Sequence, residues 1–132
     1  MVSYSTDKNI DLDQLITLYK NSFTEIPRPV DSKSKIQDLL THSNLIISAW
    51  NDKNLIGICR GFTDFNFVTY ISDLAVARPY QKKGIGKELL NQAKLYSKDS
   101  KRLVLLSSVA ANSYYKKIGF ESHERAWLLK YD

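Results

Sequence analysis

Cysteine is nearly absent from this chain: Cys59 stands alone, which excludes an internal disulfide framework and a multi-cysteine zinc site and fits a reducing compartment. Histidine is almost as scarce. His42 and His123 lie far apart with no paired carboxylate or cysteine motif beside them, so no metal site is expected. The longest apolar run, near "LIISAW", is far too short to cross a bilayer, and the opening "MVSYSTDKNIDLDQL" lacks the apolar core of a signal peptide. The expectation is a cytoplasmic protein. Repeats, low-complexity tracts and linkers are also missing, and 132 residues suit one domain, residues 1–132, better than two.

What is present leans positive. A net charge of +5 favours an anionic partner, whether nucleic acid, a lipid surface or a phosphorylated cofactor. The lysines are dispersed, with no arginine-rich arm and no nucleic-acid signature, so neither nucleic acid nor membrane is the expected partner.

The periodicity changes along the chain. "VSYST" reads as a short strand, and Asp11 then caps a helix whose Leu12, Leu15, Ile16, Tyr19 and Phe23 recur at helical spacing. Asp31 or Ser32 starts a second helix carrying Ile36, Leu39 and Leu40. "LIISAW" and "LIGICRGF", joined by "NDKN", suggest a hairpin, and "VTYISDLAV" a further strand. A helical stripe of Ile85, Leu89, Leu90, Ala93 and Tyr96 follows, then the strand "RLVLLSS" running parallel to the earlier one. A helix around "VAANSYYKKI", stopped at Gly119, and two closing strands through "FESHE" and "RAWLLKY" end the chain. The fold class is α/β (α+β), a mixed sheet flanked by about four helices.

"PYQKKGIGKELL" is the most informative stretch. A loop that leaves a strand and enters a helix exposes N–H groups with no partner inside the helix, and the helix dipole adds positive potential there. A diphosphate satisfies both. Gly84 and Gly86 let its oxygens reach the main chain, and Arg78, Lys82, Lys83 or Lys87 add attraction. A Walker A loop is excluded because Glu88 stands where Ser or Thr is needed. A dinucleotide fingerprint is excluded because Leu89 replaces the third glycine, and because several elements precede the loop. Taken alone, two glycines could still be no more than a tight turn into a helix.

The element order, with Gln81, Gly84 and Gly86 matching a Q/R-x-x-G-x-G/A loop and Tyr115 four residues before Gly119-Phe120, resembles the GNAT superfamily of acyl-CoA-dependent N-acetyltransferases. The likeness covers essentially the whole chain. It implies a mostly antiparallel sheet whose fourth and fifth strands splay apart, with acetyl-CoA as cosubstrate and no metal. Gln81, Lys82, Lys83, Gly84, Ile85, Gly86 and Lys87 would hold the diphosphate, and the main chain of Leu74, Ala75 and Val76 the pantetheine arm. One departure stands out: Ser108 occupies a position where many members carry an asparagine, and Asn112 lies a turn further on.

Acetyl transfer to an amine needs a polarised carbonyl and a proton for the leaving thiolate. The Leu74 amide is the expected oxyanion donor. Tyr115 is the expected acid, because a phenol of pKa about 10 stays protonated at neutral pH; Tyr114 is expected to point elsewhere on its helix. Asp73, on the opposite face from Leu74 by strand alternation, is a candidate to orient water, bind a cationic substrate or satisfy buried main chain. Glu25, between the first two helices, is a weaker candidate for the acceptor. His123 reads as a surface residue, His42 as a helix-end cation, and Cys59, Trp50 and Trp127 as core. The acceptor would be a primary amine on a small molecule, peptide or protein. The rival reading is an acyl-CoA-binding sensor without turnover, and the resemblance also allows a homodimer joined through the last strands.

Overall fold

The computed structural model describes residues 1–22 and 27–131. Five strands form one sheet in the order β1-β2-β3-β4-β5: β1 (Val2–Ser5), β2 (Leu45–Asn51), β3 (Asn54–Thr63), β4 (Val68–Val76) and β5 (Arg102–Leu105). The first four pair antiparallel and β5 joins β4 in parallel. Four helices flank it: α1 (Leu12–Lys20), α2 (Lys33–Thr41), α3 (Ile85–Tyr96) and α4 (Asn112–Lys117).

Local chemistry explains most boundaries. Asp11 caps α1 by accepting from the Gln14 N–H at 3.0 Å, and Ser32 caps α2 by accepting from Lys35 at 3.3 Å. Each cap satisfies an N–H that the first turn cannot use, worth about 1 kcal/mol. Beyond the end of α1, Phe23 and Glu25 lie outside the described residues. The β2–β3 hairpin turns at Asp52, whose φ of 52° is left-handed.

Alternation along the strands divides the core. Ile46, Ile58 and Ala75 face α1 and α2, where Leu15, Leu18, Ile36 and Leu40 are buried. Ile47, Cys59 and Ile71 face α3, where Ile85, Leu89, Leu90 and Ala93 are buried. Each fully buried leucine or isoleucine contributes about 1.5–3 kcal/mol, so both helical layers are anchored by apolar burial and β4 is shared between them.

The two closing strands expected from "FESHE" and "RAWLLKY" do not form. Residues 121–131 carry no strand and are exposed, with Trp127 at 93% and Leu129 at 88%, so Trp127 is not core either. The run Glu121 to Arg125 offers no apolar face to lay on the sheet. Instead it folds locally, with the Ala126 N–H donating to His123 O and the Arg125 N–H to His123 Nδ1.

Candidate active site

The site is built on β4, which separates from β5 halfway along. β5 pairs only with Val68 to Ile71, so Ser72 to Val76 have no strand on that side among the described residues. Successive strand residues present their N–H and C=O groups to alternate edges. The Ala77 N–H donates to Ile56 O at 2.9 Å, so Ala75 also faces β3, while the N–H groups of Leu74 and Val76 face the opening. The Val76 carbonyl points the same way and accepts from Gln81 Nε2 at 2.8 Å. Gln81 therefore braces the open strand from the loop.

That loop runs through Lys82, at a left-handed φ of 63°, to Gly84 at 81°, which caps α3 with no side-chain hydrogen bond. A residue with a Cβ would cost roughly 1–2 kcal/mol at Gly84, so the glycine sets the entry angle. With no side-chain cap, the amides of Ile85, Gly86 and Lys87 open α3 toward the cleft, a geometry suited to an anion. Lys83 lies against the Tyr80 ring, its Nζ 5.7 Å from the centroid, and the Tyr80 hydroxyl accepts from Asn51.

Across the opening, α4 carries two tyrosines. Its C-terminus is closed by two bonds, Gly119 N–H to Lys116 O at 3.2 Å and Phe120 N–H to Tyr115 O at 2.9 Å, with Gly119 at φ 107°. This Schellman closure places Phe120 beside Tyr115, their ring centroids 5.4 Å apart. The Tyr-x-x-x-Gly-Phe spacing is thus a helix stop that also holds the tyrosine. Tyr115 packs with Leu74, Val76 and Ile118 against the α3-side core, and burial first, then Tyr114 and Cys59, push its phenol up to about 12.

Tyr114 does not point elsewhere. Its ring meets that of Tyr115 edge-on at 5.3 Å, and its hydroxyl lies 3.1 Å from where a Cβ on Gly86 would sit. One helix turn thus presents one phenol beside the α3 entrance and another against the core beneath the open strand. Successive helical residues diverge by about 100°, and the two rings nevertheless meet edge to face.

The opposite face of β4 carries a buried ion cluster. Asp73 accepts from Arg60 Nε at 2.5 Å and from the Tyr19 hydroxyl at 2.6 Å, and Arg28 Nε donates to its other oxygen. Arg60 Nη1 reaches the Ser43 hydroxyl, its Nη2 the Ser72 hydroxyl, and Arg28 Nη2 the Ser72 carbonyl at 2.7 Å. Burial, the largest single influence, pushes the Asp73 carboxyl up, but the bonds and charges of Arg60, the charge of Arg28 and the Tyr19 hydroxyl outweigh it and hold it below the ordinary range. Burial and the Asp73 charge push the Tyr19 phenol up. Arg28, Arg60 and Tyr19 were not foreseen. One signal was legible: an arginine inside the apolar strand "LIGICRGF" demands a buried carboxylate.

Among the remaining candidates, Ser108 precedes the short 3-10 turn Val109–Ala111, and Asn112 opens α4 with its Oδ1 accepting from the Ser107 hydroxyl. Cys59 is buried in β3 opposite Leu74, and burial followed by the Asp73 charge raises its thiol to about 12, which keeps it protonated. Glu25 lies outside the described residues. Among the described residues no group of three or more metal-ligating side chains converges, and no helix is long and apolar enough to cross a membrane.

A sheet that splays beside a glycine-rich helix entrance is the arrangement that the sequence resemblance implied, and comparison with other proteins agrees. Residues 12–120 match the model of the acetyltransferase (GNAT) family. An uncharacterized N-acetyltransferase, ycf52, of Porphyra purpurea is 31% identical over 125 residues, which cover 90% of this chain and 70% of that protein. A probable acetyltransferase of Staphylococcus aureus superposes with a TM-score of 0.82 at 23% identity, covering 99% of this chain and 100% of that one. An aminoglycoside N-acetyltransferase, solved in complex with CoA, superposes with a TM-score of 0.77 at 15% identity, over 99% of this chain and 95% of its own. The chain belongs to the acetyltransferase (GNAT) family, and it is an acyltransferase.

Proposed function

We propose that the protein transfers an acetyl group from acetyl-CoA to a primary amine, by direct attack within a ternary complex. The observation that carries this is the open edge of β4, with two outward N–H groups, set between the uncapped start of α3 and the half-buried Tyr115 of α4. The amides of the Lys82–Lys87 turn hold the diphosphate, and the main chain of Leu74 and Val76 aligns the pantetheine arm. Negative charge developing on the thioester oxygen is met by the Leu74 N–H, for which one such donor is worth about 3–4 kcal/mol.

The amine nitrogen bonds to the carbonyl carbon, the C–S bond breaks, and the sulfur takes a proton. A phenol held near 12 gives its proton to a thiolate of pKa about 8.5 only uphill. Tyr115 therefore acts as a hydrogen-bond donor to the departing sulfur and a relay for the proton that the attacking amine loses. Asp73, a candidate from the sequence to orient water, bind a cationic substrate or satisfy buried main chain, is given a structural role in this reading. Two guanidinium groups already hold its carboxylate, and it anchors the strand.

Without a committed base, the acceptor must arrive neutral. An alkylamine of pKa about 10.4 costs about 4–5 kcal/mol to deprotonate at pH 7, whereas an α-amine near 8 costs about 1. The decisive experiment measures thiol release from acetyl-CoA over a panel of small amines, peptides and protein extracts. Release that saturates with one acceptor class establishes the reaction. Tight acetyl-CoA binding with no release across the panel sinks it and leaves the sensor reading.

A further inference from the structure

The point where β4 leaves β5 is also the point where it buckles. Opposite β3, Asp73 pairs with Arg60 but Ile71 pairs with Gly61, so Ser72 is an extra residue with no counterpart, a β-bulge. The same residue follows Ile71, the last in β4 to pair with β5. β3 presses close here: a Cβ on Gly61 would lie 2.0 Å from the Tyr70 carbonyl oxygen.

A bulged residue loses its place in the ladder, and at Ser72 arginines take over. Arg60 Nη2 bonds the Ser72 hydroxyl at 3.0 Å, and Arg28 Nη2 bonds its carbonyl at 2.7 Å while Arg28 Nε holds the neighbouring Asp73 carboxylate. Arg60 belongs to β3 and is buried. Arg28 comes from the connection between α1 and α2, outside the sheet, and its side chain retains 20% exposure.

We infer that Arg28 is a positioning residue for acyl transfer: its planar fork, spanning the Ser72 carbonyl and the Asp73 carboxylate, holds the β4 bulge and thereby aims the Leu74 N–H into the cleft. The physical reason is register. A change of one residue in a strand exchanges the edge to which each following amide points. A guanidinium bridges a carbonyl and a carboxylate at fixed geometry, which an ammonium cannot do. The inference rests on the reading above that the Leu74 amide polarises the acetyl carbonyl.

The test reads that polarisation directly. Acetyl-CoA labelled with carbon-13 at the carbonyl is bound at saturation to the wild-type chain and to Arg28→Gln and Arg28→Lys, and the isotope-edited infrared carbonyl stretch is recorded with melting temperature and coenzyme A affinity. The wild-type band is expected at lower frequency than that of an acetyl thioester without a hydrogen bond. Arg28→Gln loses most of that displacement and Arg28→Lys part of it, with coenzyme A affinity nearly unchanged. Should Arg28→Gln not fold, Arg28→Lys carries the same comparison. A variant band coincident with the wild-type band overturns the inference even if the melting temperature falls, because a purely structural stitch would lower stability alone. An undisplaced wild-type band removes the Leu74 assignment itself, and the role of Arg28 with it.

Discussion

The two faces of β4 differ sharply. Toward α1 and α2, Asp73 is buried with three partners, and Ser72 is held through both its hydroxyl and its carbonyl. Toward α3 and α4, Leu74 and Val76 meet apolar side chains and tyrosine rings, and their N–H groups open onto a gap. The side chains of one face are spent on rigidity, while the strand edge turned away from β3 keeps its main chain available. Consecutive residues of a strand can serve both ends because alternation separates them in space. In the proposed reaction, a strand edge that holds a thioester within a fraction of an ångström gains from a fixed neighbour on the far side.

The largest break in this contrast should come from the ion cluster. Asp73→Ala leaves two guanidinium groups facing each other and should cost about 3–5 kcal/mol of stability, read by urea denaturation. The pH dependence follows from the depressed carboxyl. Its contribution is complete above about pH 4, where an unfolded carboxylate titrates, and fades as pH falls through the lower folded value. The stability gap between wild type and Asp73→Asn should therefore narrow on acidification below pH 4 and stay constant above about pH 5. A gap independent of pH would remove the charged cluster as its cause.

At the open edge, the effects should appear in chemistry before stability. Tyr115→Phe should lower turnover by about 100-fold, the low end of the range for a lost proton-transfer group, while coenzyme A affinity holds. An unchanged rate would take Tyr115 out of the mechanism. Gly86→Val meets the Tyr114 hydroxyl at the α3 entrance and should weaken coenzyme A by roughly tenfold, about 1.4 kcal/mol by calorimetry. Acetylpantetheine, which lacks the diphosphate, should lose much less. Gly84→Ala should cost about 1 kcal/mol of stability through its left-handed backbone, a few degrees in melting temperature. For an alkylamine acceptor the rate should rise about tenfold per pH unit from 7 to 9, tracking the neutral amine, since no free base intervenes. A flat profile there would reveal a base not yet located.

Much of the architecture was legible before any coordinates. Asp11, and Asp31 or Ser32, announced two helix starts, the structure choosing Ser32 for the second, and the change from helical period to β-branched runs marked the sheet. Gly84 and Gly119 marked a helix entrance and a helix stop. Each of these signals acts within a few residues, where a cap, a turn or a periodic face has little competition. The closing strands were misread because an apolar run such as "RAWLLKY" has strand character but becomes a strand only beside a partner. The position of Tyr114 was not legible because helical spacing gives the angle between two side chains and not which distant element, here the start of α3, packs against each.

The sequence by itself determined the order of elements as far as α4, the glycine turn that opens α3, and the tyrosine fixed one turn before a helix stop. Tertiary structure alone decided that Arg28, Arg60 and Asp73 meet, that β4 buckles at Ser72, and that two amides are left facing a gap. The reason is range. Backbone preferences are settled by neighbours in the chain, whereas the protonation state and partners of a buried carboxylate depend on which distant cations the packed sheet and its connections bring within hydrogen-bond reach.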